Sequence, residues 1–271
     1  MNRSILLFFI CSMYCIILCA QEKIAIRCGS LIDGKSQKAI SNAVIFIEGD
    51  RISKIGTREN IPADYHIIDL KSHTVLPGLI DAHVHPLIFG DDYQVNHLKG
   101  SSASKALWGL KTVQNWLNEG WTNLRIAGDA DVHYAHFAIR DAINDGHFTG
   151  PRIFGAGHYI SVTGGGGDIN FTAPEQHIIA DGLIADGPGE LLKAVRKEIK
   201  YGSDWIKLLV TGAFMSAGDN PQNVHFSEAE ITTAIAEARR RDIPVMAHAH
   251  STLGIKMAVK AGVRSIEHVH F

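Results

Sequence analysis

The sequence has little cysteine, little net charge and, beyond its first twenty residues, no long apolar run. Its four cysteines are Cys11, Cys15, Cys19 and Cys28. Three of them fall within the first twenty residues, so a chain processed there keeps Cys28 alone and can form no internal disulfide. That excludes a disulfide-stapled mini-protein: the fold has to rest on a buried core. With 271 residues, 46% of them hydrophobic and 20% charged, the chain has enough apolar material for one large domain or two small ones. A formal net charge of −2 argues against nucleic acid as the main partner.

The N-terminal segment is where apolar residues are concentrated. Arg3 supplies a positive start, Ile5 to Leu18 is an almost unbroken apolar stretch, and Ala20 closes a cleavage site before Gln21. The stretch is short for a membrane span, so residues 1–20 are predicted to be a signal peptide. The expected product is exported, to the periplasm or beyond, and is not associated with a membrane after cleavage. Cys19 raises the question of a lipoprotein, but Leu18 is larger than the residue such signals normally carry at that place.

Residues 21–75 read as the N-terminal part of a small β-sandwich domain. Short apolar or alternating stretches at 24–28, 43–48, 51–55 and 66–69 are separated by turn clusters such as Asp33-Gly34 and Glu48-Gly49-Asp50. From residue 75 onward strand-like runs (75–83, 122–127, 152–156, 205–210, 244–248 and 265–268) alternate with helical ones (about 102–119, 133–145, 189–201, 228–241 and 252–261). That alternation is the mark of a parallel sheet. Ser227-x-x-Glu230 is a capping box, and Gly120, Gly146, Gly202 and Gly262 close four of the helices. Six strands and five helices fit a (β/α)₈ barrel that stops early, or a doubly wound open sheet; periodicity alone leaves both open.

Fifteen histidines are more than a core usually needs, and several stand in tight pairs. His83 and His85 end the first barrel-like strand, after Leu79-Ile80-Asp81-Ala82. Residues two apart on a strand face the same side, so these two imidazoles can meet one metal ion. Lys207 lies inside the apolar run Trp205-Ile206-Lys207-Leu208-Leu209-Val210. A lysine there faces solvent, pairs with an acid or is neutral; a neutral amine can take up CO₂ to become a carbamate that bridges two ions. His248 and His250, then His268 and His270, end two further strand candidates, where a barrel carries its functional groups.

Taken together these segments resemble the amidohydrolase superfamily, in particular its imidazolonepropionase-related and Xaa-Pro dipeptidase-like branch. The likeness runs from Leu76-Pro77-Gly78-Leu79-Ile80-Asp81-Ala82-His83-Val84-His85 through Ala180-Asp181-Gly182, Trp205-Ile206-Lys207, Met215-Ser216-Ala217-Gly218-Asp219 and Ala247-His248-Ala249-His250 to Ser265-Ile266-Glu267-His268. It implies an α/β fold, a TIM-type (β/α)₈ barrel of which residues 76–271 hold about six units, beside the small β-domain. It implies hydrolysis of an amide or peptide C–N bond by a metal-activated hydroxide, the substrate being a dipeptide, an N-acyl amino acid or another small molecule. His83, His85, Lys207, His248 and His268 would be ligands of a binuclear centre, with Zn²⁺ the expected metal. His250 is not among the ligands and would contact substrate. Where the loop Thr163-Gly164-Gly165-Gly166-Gly167-Asp168 resembles the family, Gly166 replaces a usual histidine. The family's catalytic aspartate falls beyond Phe271, so an incomplete chain is expected, with catalytic residues unknown. The alternatives are a short non-catalytic relative that binds a metal or ligand and, among enzymes, a cyclic-amide hydrolase. A homo-oligomer is compatible with all of them.

Overall fold

A computed structural model describes residues 22–57 and 60–270. The expected signal peptide, with its cleavage site at Ala20 and Gln21 and the cysteines at 11, 15 and 19, lies outside the described residues. The chain divides into two compact units at Pro77/Gly78. No helix among the described residues is long and apolar enough to cross a membrane.

The first unit is a four-stranded sheet in the order β3-β2-β1-β4, formed by β1 (Lys23–Leu31), β2 (Ile40–Glu48), β3 (Arg51–Thr57) and β4 (His66–Val75). Alternation along β2 sorts its side chains: Ala43, Ile45 and Ile47 pack with Cys28 and Leu31, while Val44 and Phe46 pack with Ala25 on the other face. β1 and β4 run parallel, and their register shifts between Cys28 and Ser30. Gly29 sits at that irregularity, where a Cβ would lie 2.3 Å from the carbonyl oxygen of Lys71, so only glycine lets the two backbones approach. Val75 ends β4 instead of starting the next strand: it pairs with Leu31, and Pro77, which cannot donate a ladder hydrogen bond, separates it from the strand that begins at Leu79.

The second unit carries the βα alternation. Its strands are β5 (Leu79–Val84), β6 (Trp121–Ala127), β7 (Arg152–Ala156), β8 (Tyr159–Ser161), β9 (Leu183–Ile184), β10 (Ile206–Leu209), β11 (Val245–Ala249) and β12 (Ser265–His268). Its helices are α1 (Tyr93–Lys99), α2 (Ser102–Asn118), α3 (Ala135–Asn144), α4 (Gly187–Lys200), α5 (Glu228–Arg239) and α6 (Thr252–Ala261). The strands form two parallel groups, β5-β6-β7 and β12-β11-β10-β8-β9. β7 and β8 are one barrel strand interrupted at Gly157-His158, and Asp204 and Trp205, just before β10, both donate backbone N–H bonds to the Gly155 carbonyl at 2.8 and 3.1 Å. The result is a continuous arc of six barrel strands, ordered β5, β6, β7/β8, β10, β11, β12. It is a partial barrel, open between β5 and β12 among the described residues.

The helices form where the sequence signals them. Ser227 and Glu230 make the reciprocal capping box at the start of α5. Pro188 opens α4, which buries Leu191, Ala194, Val195 and Glu198, a stripe with the spacing of one helix face. Gly120, Gly146, Gly202 and Gly262 all have left-handed φ, between 76° and 99°. The main core lies between α4, α5, α6 and the outer faces of β10 and β11, where Ile206, Leu208, Val245 and Ala247 are buried. A second core packs Leu124, Ile126 and Ile153 of β6 and β7 against Val113 of α2 and Ile139 of α3. Helix α1, not anticipated from periodicity, is a seven-residue element capped by the Asp92 side chain on the Val95 N–H.

Candidate metal centre

If outward residues of β10 and β11 fill the core, their alternate neighbours must face inward. Lys207, Leu209, His248 and His250 do so, lining a cavity of about 540 Å³ inside the arc. His83 and His85 reach the same cavity from the end of β5, and His268 and His270 from the end of β12. The rings form a chain: His85 to His83 at 5.1 Å between centroids, His83 to His268 at 4.8 Å, and His268 to His248 at 4.6 Å. The five positions expected as ligands therefore share one cavity, although they come from four different strands.

Three of the imidazoles are held by protein acceptors, and each hold leaves one ring nitrogen for the cavity. His85 donates from Nδ1 to the Gly128 carbonyl at 2.6 Å. His83 Nδ1 donates to Glu267 Oε2 at 2.7 Å. With both Nδ1 atoms engaged, the two Nε2 atoms point at one another, 3.2 Å apart. His248 is reversed: its Nε2 donates to the Gly212 carbonyl at 2.9 Å, which frees Nδ1. Fixing one nitrogen of an imidazole by a carbonyl or carboxylate is how metal-binding histidines are oriented. His248, His250 and His268 also present nitrogens that lie within 4.8 Å of one another. His250, expected as a substrate contact apart from the ligands, thus shares the tight group. Its ring stands 4.5 Å from that of His248 because both occupy the inward face at the end of the same strand, and its Nδ1 is 2.9 Å from Nδ1 of His270.

Burial sets the protonation of these groups. Lys207 is 1% exposed, with no hydrogen bond or ion pair for its amine among the described residues. Burial drives its pKa down to about 7; the Glu267 charge opposes the shift and Arg125 adds to it. Burial likewise pushes His85 down to about 3 and His248 to about 2, helped by neighbouring positive groups, and His268, exposed as a residue but with its ring partly desolvated against the cavity, is lowered as well. At neutral pH His85 and His248 therefore carry lone pairs, and the Lys207 amine is far more readily uncharged than an ordinary lysine. Neutral imidazoles and a nucleophilic amine gathered at one point are a donor set that fits divalent cations.

β12 departs from simple alternation. Glu267 faces inward and is buried, and His268 reaches the cavity as well because its φ is 83°, in the left-handed region, followed by Val269 at 54°. Such a backbone costs energy in a residue with a side chain, and it persists where surroundings enforce it. Glu267 itself was not anticipated, nor were its partners Arg125 and Ser265. Arg125 carried a usable signal, a charge inside the apolar strand Leu124-Arg125-Ile126, of the same kind that singled out Lys207. The rest of the cavity wall is largely apolar, including Ile88, Trp116, Leu209, Phe214 and Met215, with Tyr159 beside His85.

Residues 74–271 match the model of the amidohydrolase family. The chain belongs to that family. It is 34% identical over 269 aligned residues to the ochratoxinase of Aspergillus niger, covering 91% of this chain and 54% of the ochratoxinase. It is 31% identical over 93 residues to an imidazolonepropionase of Streptomyces avermitilis, covering 34% of this chain. Among solved structures it is similar to a Xaa-Pro dipeptidase crystallised with methionine in its active site, at 38% identity and a TM-score of 0.82 over 90% of this chain and 61% of the other. The crystal structure of A. niger ochratoxinase aligns with a TM-score of 0.76 at 30% identity, over 91% of this chain and 60% of the other. The chain thus spans about half the length of the ochratoxinase. The superfamily and branch expected from the sequence are those of these relatives, and an N-terminal β-domain followed in the chain by a partial barrel agrees with them.

Proposed function

We propose that the protein is a metal-dependent hydrolase of C–N bonds, acting on a dipeptide or an N-acyl amino acid. The observation that carries this reading is the cavity itself, in which imidazoles with one nitrogen anchored surround a fully buried lysine that has no counterion in contact. His83, His85, Lys207, His248 and His268 would hold two divalent ions, zinc before others because it accepts imidazole and oxygen ligands without redox chemistry. Bound there, the ions would supply Lewis acidity toward a carbonyl oxygen and acidify water near neutral pH.

The chain's own residues have definable parts in this. With its pKa near 7, the uncharged Lys207 amine can add to CO₂: a bond forms from Nζ to the carbon, one C=O π bond gives way to a carboxylate, and a proton passes from the nitrogen to solvent, so that a neutral amine becomes a carbamate anion. The apolar walls suit an apolar side chain. His250, stacked on His270 at 4.9 Å and packed near Phe214, stands where a polar group of the substrate can be met. Similarity to a Xaa-Pro dipeptidase and to ochratoxinase supports a small substrate bearing an amide linkage. The apolar segment Ile5–Leu18 supports export with cleavage before Gln21, which N-terminal sequencing of the exported protein checks. The functional test is zinc analysis of the protein with hydrolysis assays on dipeptides, N-acyl amino acids and cyclic amides. In a chain of the length of its relatives, zinc at two per chain with turnover of the first two classes is the expected outcome, whereas residues 21–271 on their own are expected to turn over neither. Turnover of cyclic amides alone would move the substrate class, and zinc-free activity would contradict the reading.

A further inference from the structure

Glu267 is a buried carboxylate with more partners than a strand residue needs. Oε2 accepts from His83 Nδ1 at 2.7 Å. Oε1 accepts from Arg125 Nη2 at 2.9 Å and from Ser265 Oγ at 2.7 Å. Arg125 is itself tied down: Nε donates to the Ala82 carbonyl at 2.6 Å, Nη1 donates to Ser265 Oγ at 3.3 Å, and the guanidinium lies over the Trp205 ring at 4.7 Å. The knot therefore joins β5, β6 and β12, and the interior ends of the first and last strands of the arc meet through it. The side chains of Glu267 and Arg125 are 8% and 12% exposed, so this is no surface ion pair.

We infer that Glu267 is a positioning residue of the metal centre, which fixes His83 in the Nδ1–H tautomer and aims its Nε2 into the cavity, with Arg125 and Ser265 holding the carboxylate in place. A neutral imidazole can carry its proton on either nitrogen, and only the Nδ1–H form leaves Nε2 a lone pair. A carboxylate accepting from Nδ1 selects that form and locks the ring plane. The arrangement also explains why a glutamate rather than an apolar residue occupies an inward position of β12: it gives His83, on the arc's exposed end strand, an anchor comparable to the Gly128 and Gly212 carbonyls that hold His85 and His248. This inference rests on the metal-binding reading above.

The test uses the full chain with Glu267→Gln, Glu267→Leu and Ser265→Ala, and Glu228→Gln on the surface as control, each compared in thermal melting and in zinc affinity by chelator competition. Loss of a residue that orients a ligand typically costs about 10–100-fold in metal affinity. Glu267→Leu is expected to reach that loss, Glu267→Gln and Ser265→Ala to lose less, and Glu228→Gln to lose nothing. The second readout needs no metal: ¹⁵N shifts of His83 in the metal-free protein should report Nδ1–H in the parent and a mixture or the other tautomer in Glu267→Leu. That readout separates positioning from a merely structural role, and remains available in Ser265→Ala if Glu267→Leu does not fold. Unchanged zinc affinity and an unchanged His83 tautomer in the folded variants would overturn the inference. A parent that binds no zinc yet shows the tautomer shift would overturn the metal reading and leave the role of Glu267 in orienting the ring intact.

Discussion

The middle and the ends of the barrel arc are built on different physics. Every residue of β10 and β11 is buried, with helices α4, α5 and α6 covering their outer faces. The end strands are half exposed: Ile80 of β5 is 63% exposed, and His268 of β12 is exposed as well. Yet the candidate ligands are divided between the two, Lys207 and His248 in the middle, His83 and His268 at the ends. The middle positions its ligands by close apolar packing, in which a side chain has nowhere else to go. The end strands have less such packing, and at His83 charge and hydrogen bonds act instead, through Arg125, Glu267 and Ser265. A site of this kind can be held on one side by burial and on the other by a polar knot.

If that is right, breaking the knot costs as much as emptying the core. Arg125→Met leaves Glu267 buried without its ion-pair partner, which is expected to destabilise the protein by about 3–5 kcal/mol; a loss below about 1 kcal/mol in chemical denaturation contradicts the role given to the knot. Leu208→Ala, on the outward face of β10, removes a fully buried side chain and should cost about 2–5 kcal/mol by the same measurement.

The next effect depends on pH. The folded-state pKa of Lys207, about 7, lies below its ordinary value of 10.5. Between those values the unfolded chain binds a proton that the folded chain has released, so stability rises with pH through that window. Below pH 7 the buried ammonium exacts its full penalty, on the order of a few kcal/mol. Lys207→Met, similar in volume and uncharged, should therefore be more stable than the metal-free parent at pH 6, with the difference shrinking steadily toward pH 10. A difference independent of pH would mean that the amine is not perturbed. The smallest effect is expected at the arc's edge: Ile80→Ala, on the exposed end strand, should change stability by only about 0.5 kcal/mol, whereas a loss like that of Leu208→Ala would show that β5 is covered in solution.

Much of this is legible in the sequence, for local reasons. His83 and His85, then His248 and His250, announce themselves because strand geometry repeats every two residues and puts both rings on one side. Lys207 is conspicuous as a charge in an apolar strand, and the capping box at Ser227 and the glycines that close the helices are short-range signals that the fold obeys. What escapes is non-local. Glu267 acquires its meaning from Arg125, which stands 142 residues earlier. The break of the third barrel strand at Gly157-His158 depends on which neighbours each half pairs with, β6 for one and β10 for the other. His268 enters the cavity through a left-handed backbone that no alternation pattern foretells. Val75 belongs by sequence pattern to the strand that holds His83 and by pairing to β4, because an apolar run carries no mark of where one strand partner gives way to another.

The most direct test of the central claim is metal stoichiometry with and without the lysine. The protein is equilibrated with zinc and bicarbonate at pH 8, where most of the Lys207 amine is uncharged, freed of loose metal and analysed for zinc per chain; Lys207→Met is treated alike, with ¹³C-bicarbonate used to look for a carbamate carbon in each. The account predicts two zinc ions and a carbamate signal in the parent, and at most one ion and no such signal in the variant. Equal zinc content in both, or none in the parent, would contradict it.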